Sequence, residues 1–205
     1  LSRIRFGEFR PTKRVEWLHG RKPVGLHNQG HGRESSRDSQ AARMSTFVLI
    51  HGSWQGAWCW ERLAPLLRAQ GHTVITPDLP GHGADSTPFG SISLSSYGEV
   101  VQQTLATCQE PAILVGHNMA GMVITPVAAV VPDRIRSLVY LTAYVPVKDQ
   151  SADELSRGDV GSIAEQFVYA SKDGLNLLIP KSIVREALYG DCDPEAVAWA
   201  LAKMR

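Results

Sequence analysis

The stretch Pro111-Ala112-Ile113-Leu114-Val115-Gly116-His117-Asn118-Met119-Ala120-Gly121 constrains this chain more than any other. Pro111 to Val115 is an apolar run of strand length, and Met119 to Val131 follows as a segment of helical length rich in Ala, Val and Met. Between them only a tight turn fits. Small residues flanking such a turn keep strand and helix backbones close, and the side chain at the centre is lifted out of the fold. The centre here is Asn118, at the position where a turn of this shape calls for a nucleophilic serine. An amide placed there cannot be activated to attack a carbonyl.

Three further segments accompany this turn in a fixed order. Phe47-Val48-Leu49-Ile50-His51-Gly52-Ser53-Trp54-Gln55-Gly56-Ala57-Trp58-Cys59-Trp60 comes first and Thr76-Pro77-Asp78-Leu79-Pro80-Gly81-His82-Gly83 second. Asp133-Arg134-Ile135-Arg136-Ser137-Leu138-Val139-Tyr140-Leu141 follows the turn. With these four segments, the chain from Met44 onward resembles the α/β-hydrolase superfamily, and within it the plant and bacterial branch of methyl-salicylate-type esterases and hydroxynitrile lyases. The resemblance implies an α/β-hydrolase fold: a mostly parallel sheet flanked by helices, with a helical cap. It also implies ester hydrolysis through a Ser-Asp-His triad in relatives, no cofactor and no metal.

Carried over by position, the resemblance makes the backbone N–H groups of Ser53 and Met119 the oxyanion-hole donors and Asn118 the substituted nucleophile. A pre-aimed donor of that kind stabilises developing charge by roughly 3–4 kcal/mol. Because the donors are main-chain groups, asparagine at the centre leaves them in place if the turn keeps its geometry. Ala120 stands where the motif has its final glycine and is small enough to be neutral. Gln55, where relatives commonly carry histidine, is expected to line the pocket mouth; Trp54, Gln55 and His117 are the candidate substrate-binding residues, with packing under the elbow the stronger reading of His117. Trp54, Trp58 and Trp60 divide evenly between an aromatic pocket wall and core. His51 and His82 sit in turns after strands, where packing is the stronger reading. The Gly81 and Gly83 pair lacks the spacing of a phosphate-binding loop.

In this family the triad runs nucleophile, acid, histidine along the chain. The seven histidines here, His19, His27, His31, His51, His72, His82 and His117, all precede Asn118. Beyond Pro146 the sequence turns polar and then gives helical stretches around Val160 to Ala170, Ser182 to Tyr189 and Pro194 to Met204. These correspond to the cap. On this reading residues 44–147 are the N-terminal part of the core and 148–205 the cap. The final strands, on the order of 60–80 residues with their crossover helices, are absent from the sequence. The strand near Ser137 to Thr142 is then expected to have an unpaired edge, leaving the domain prone to instability or aggregation.

Residues 1–43 differ in kind. They hold eight Arg and two Lys against three Glu and one Asp, inside a chain whose net charge is only +1. With no apolar periodicity and no signal-peptide stretch, they read as a disordered basic leader. An organelle-targeting segment, a nucleic-acid arm and an upstream translated segment ahead of Met44 compete as explanations. The aromatics Phe6, Phe9 and Trp17 are too sparse for a stacking platform, so no nucleic-acid partner is expected. Three widely spaced cysteines and no run of membrane-span length suggest a cytoplasmic protein with no membrane partner. The expected partner is a small-molecule ester or aromatic acid. Three functional readings follow: an inactive relative of small carboxylesterases, a small-molecule-binding pseudoenzyme resembling a receptor, or a gene fragment without a biochemical role.

Overall fold

Two short apolar runs nucleate the sheet in the computed structural model, which describes residues 44–204. The expectation for residues 1–43 lies outside them. Strand β1, Thr46–Ile50, and strand β3, Ala112–His117, pair in parallel, with Phe47 opposite Ile113 and Ile50 opposite Gly116. Strand β2, Thr73–Ile75, pairs with the other edge of β1, and strand β4, Ile135–Leu141, with the other edge of β3. The order is β2-β1-β3-β4, parallel throughout. Parallel strands need long connections, and helices supply them: α1 (Ala64–Ala69), α2 (Leu94–Thr107) and α3 (Ala120–Val130).

The period of two along the central strands divides the core. Val48, Ile50, Ala112 and Leu114 pack on one face with Val101 and Leu105 of α2 and Val123, Ile124 and Val127 of α3. Leu49 and Val115 pack on the other with Trp60, Ala64 and Val74. Both faces are covered, which is why the central runs are continuously apolar rather than alternating. Burying each Val, Leu or Ile side chain among these contributes about 1.5–3 kcal/mol. Helix α2 starts at a reciprocal cap in which Ser93 accepts from the Ser96 N–H and Ser96 accepts from the Ser93 N–H.

Beyond β4 come α4 (Ala152–Gly158), α5 (Ile163–Phe167), the antiparallel pair β5 (Tyr169–Ala170) and β6 (Leu177–Leu178), then α6 (Lys181–Tyr189) and α7 (Pro194–Lys203). The helix expected over Val160 to Ala170 is shortened to α5. Tyr169 and Ala170 leave it to pair across a turn where Gly174 takes φ +71° and the Asp173 carboxylate accepts from Ser171 and Leu175. Helix α4 lies outside the expected helical stretches, although Ser151 and Glu154 carry its start signal, each capping the other's backbone N–H. Among the described residues β4 is an edge strand, as expected, with Val139 and Leu141 exposed.

Candidate functional site

The site is built at the C-terminal ends of β1 and β3, where two turns meet. Strand β3 runs two residues further than its apolar run implies, through Gly116 to His117, and α3 begins at Ala120 with Met119 as its cap residue. Only Asn118 and the cap residue Met119 lie between strand and helix. Its φ is +53°, in the left-handed region, where asparagine is one of the few tolerated side-chain types. The sharp strand-to-helix turn therefore survives with an amide at its centre. Glycine at 116 permits it: a Cβ there would lie 2.7 Å from Ile124 Cδ1 and 3.1 Å from the Ala120 backbone.

The Asn118 backbone carbonyl accepts from the Gly121 N–H at 3.2 Å and from the Tyr144 N–H at 3.1 Å. The second bond ties the elbow to the loop after β4. Gly121 makes this contact possible, because any Cβ would run into the Tyr144 carbonyl. Sequence reasoning missed Tyr144, whose part is played through its backbone and leaves no side-chain signature.

The turn after β1 closes over the elbow. Gly52 sits so near Asn118 that a Cβ on it would be 2.6 Å from Asn118 Cβ. The Ser53 N–H donates to Asn118 Oδ1 at 3.2 Å. Ser53 and Asn118 are thus brought together. The donor that the family resemblance assigns to a substrate oxygen meets the chain's own amide oxygen instead. Met119, the second residue assigned a donor N–H, is half-buried at the cap of α3.

Gln55 and His117 are also brought together. Gln55 Oε1 accepts from the Gly52 N–H at 3.4 Å and lies 3.1 Å from His117 Nδ1, while its Nε2 donates to the Tyr189 hydroxyl at 3.3 Å. The backbone donor fixes which end of the amide faces inward, so His117 carries its proton on Nδ1. Burial lowers the His117 pKa, keeping the ring neutral near pH 7. Trp54, itself at φ +60° and half-buried, donates from Nε1 to the Leu177 carbonyl at 2.7 Å. The tryptophan question divides. Trp58 and Trp60 are both buried in the core, Trp60 edge-on to His117 at 6.2 Å and Trp58 edge-on to Trp199 of α7 at 5.3 Å, whereas Trp54 is half-buried. The partners Tyr189, Leu177 and Trp199 come from the C-terminal helices and hairpin, more than 120 residues away, which no local pattern reveals.

His51 is structural. It is wholly buried, lies 2.9 Å from the Gly52 carbonyl through Nδ1, and accepts from the Leu79 N–H at 3.0 Å through Nε2. Burial lowers its pKa to about 4. His82 packs between His51 and Tyr97, with its pKa also lowered by burial. Asp78 holds the same loop from below, accepting from the Ala57 N–H at 2.6 Å and the Ala84 N–H at 3.0 Å. Among the described residues no group of three His, Cys, Asp or Glu side chains could hold a metal ion. No helix there is long and apolar enough to cross a membrane. A cavity of about 700 Å³ opens at the opposite end of the sheet, lined by Thr46, Thr73, Glu110 and Arg136, away from the elbow.

Residues 47–203 match the family model described as the alpha/beta hydrolase family. A carbendazim hydrolyzing esterase of Nocardioides sp. is 44% identical over 105 residues, covering 50% of this chain and 43% of that protein. Methylesterase 2 of Arabidopsis thaliana is 32% identical over 164 residues, 74% of this chain and 62% of that one. The chain therefore spans about half of the length of these curated relatives. Among solved structures, polyneuridine aldehyde esterase superposes with a TM-score of 0.68 at 23% identity, over 80% of this chain and 69% of that one, a likeness of fold. An extracellular α/β-hydrolase from a Paenibacillus species gives 0.61 at 28% identity, over 78% and 66%.

Proposed function

Because this chain belongs to the α/β-hydrolase family, with methylesterases and esterases as relatives, we propose that it holds a small ester or aromatic acid at its elbow without forming an acyl-enzyme. The observation that carries this reading is Asn118 at the centre of an intact elbow, at φ +53°. The geometry that would present a nucleophile is kept, and the attacking atom is replaced by an amide whose nitrogen lone pair is delocalised. In a serine protease, removing the nucleophile costs about 10⁶ in kcat and leaves roughly 10³–10⁴ over water from binding and the oxyanion hole. Residual catalysis of that size is negligible beside a typical turnover of about 10 s⁻¹.

Trp54, Gln55 and His117 are the substrate-binding residues on this reading, with Gln55 at the pocket mouth. The hydrogen bond from Trp54 to Leu177 and that from Gln55 to Tyr189 support a cap, residues 148–205, seated directly over the elbow. Three cysteines without a disulfide pattern favour a reducing, cytoplasmic setting. The test is a paired measurement on the same sample: hydrolysis of p-nitrophenyl acetate, and thermal shift across a panel of small aromatic methyl esters and acids. Hydrolysis no more than roughly 10³–10⁴ above the solution rate, with a saturable shift, is expected. Saturable turnover on the order of 1–10 s⁻¹ would overturn the proposal, and no shift from any member of the panel would remove its binding half.

A further inference from the structure

The elbow carries more than a missing nucleophile. A backbone N–H can only donate, so the Asn118 atom that faces Ser53 at 3.2 Å is the amide oxygen. That oxygen is a planar sp² acceptor on a carbon bearing a nitrogen, the same shape as the carbonyl of an ester, amide or acid. Gly52 adds a second, independent constraint, since its lack of a Cβ lets Asn118 Cβ and Cγ lie against the turn. The left-handed φ at 118 and the carbonyl bonds to Gly121 and Tyr144 fix the backbone from which the side chain projects. The amide is therefore placed by main chain on both sides of the contact.

We infer that the Asn118 side chain is an internal ligand of the oxyanion position, filling with its own Oδ1 the Ser53 N–H that an incoming carbonyl or carboxylate oxygen would otherwise take. The inference rests on the reading of Ser53 as an oxyanion donor and names the ligand chemistry of that site: a small planar oxygen acceptor, such as an aromatic carboxylate. Such a ligand binds the unaltered chain only by displacing Oδ1. Its affinity is lowered by the fraction of molecules in which the amide stays in place. Removal of the side chain leaves the donor open, and Asn118→Gly does so without strain because glycine accepts φ +53°.

The test uses benzoate as probe, with its affinity measured by titration for the unaltered protein and for Asn118→Gly. A hydrogen bond to a charged acceptor predicts tightening of roughly tenfold or more in the variant. Equal or weaker binding by a folded Asn118→Gly variant, or none, overturns the inference. Asn118→Asp, which keeps the shape, supplies a measurement independent of that variant's folding. The introduced carboxylate should accept from Ser53, so the Ser53 amide proton shift should follow its titration, with a midpoint below the usual range for aspartate. A Ser53 amide indifferent to that titration overturns the internal contact. Ester hydrolysis is recorded on the same samples. Turnover by the unaltered chain refutes the proposed function, whereas unchanged benzoate affinity without turnover refutes the internal ligand alone.

Discussion

At Asn118 the backbone decides which substitutions the elbow accepts. A β-branched residue is poorly accommodated at φ +53°, so Asn118→Val should lose about 1–2 kcal/mol of unfolding free energy, read from denaturant titration. Unchanged stability would mean that the turn is less sharply held than described. His51 gives a second residue-scale prediction. The unfolded chain takes up a proton there near the ordinary 6.5, but folded His51 only near 4. Its contribution is thus complete above pH 6.5 and is lost as pH falls from 6.5 to about 4, on the order of 3 kcal/mol. His82 and His117, also lowered by burial, act in the same direction. Unfolding free energy measured against pH should rise across this interval, and His51→Gln should flatten the rise; an equal slope in both proteins would reassign it. The substitution at 118 was legible in the sequence because the flanking Gly116 and Gly121 mark the turn. The engagement of its amide with Ser53 was not, since the two positions are 65 residues apart and meet only once β1 and β3 pair.

Elements show where local signals suffice. Strands β1 and β3 and helix α3 fall within about two residues of their sequence expectations, because both faces of these central strands and most of α3 are buried and the apolar pattern reports this directly; β4 does so without full burial. In the C-terminal helices the apolar signal is thinner. Phe167, Tyr169, Leu175 and Leu177 are exposed, so hydrophobicity no longer marks what packs, and the capping and turn residues become the better guide. The contacts that seat these helices are few and specific. Trp199 packs on Trp58 and receives Lys203 at 5.0 Å and Arg62 at 5.5 Å over its ring, while Lys203 also pairs with Glu61 at 2.8 Å. Trp199→Ala should speed hydrogen exchange in α6 and α7 while leaving β1 and β3 protected. Glu61→Gln should change stability by less than about 1 kcal/mol, since the pair is exposed. Equal acceleration in strands and helices after Trp199→Ala would show one cooperative unit. The elbow has its own element-scale control. Gly121→Ala drives a Cβ into the Tyr144 carbonyl and should lower the melting temperature, whereas Gly158→Ala, with open space around it, should not.

On the scale of the whole molecule, the sheet is covered on both faces at its centre and open along β4, where Val139 and Leu141 are exposed beside unpaired backbone among the described residues. An exposed apolar edge is a template for strand pairing. Light scattering of this 205-residue chain should reveal concentration-dependent association that Val139→Lys suppresses, and a monomer at all concentrations would count against it. The overall class followed from four spaced segments, three of them turns whose glycines are required by close backbone approach and the fourth the strand β4. The meeting of the β1 turn, the elbow and the C-terminal helices at one site depends on three-dimensional closure and had to be observed. Whether the elbow can form a covalent bond to an acylating or phosphonylating group separates a binding site from a hydrolytic one. Incubation with a fluorophosphonate, followed by intact-mass measurement, tests this most directly. An unmodified mass is predicted, since Asn118 offers no nucleophilic oxygen or sulfur. Stoichiometric addition mapped to the elbow or to the turn containing Ser53 would contradict it.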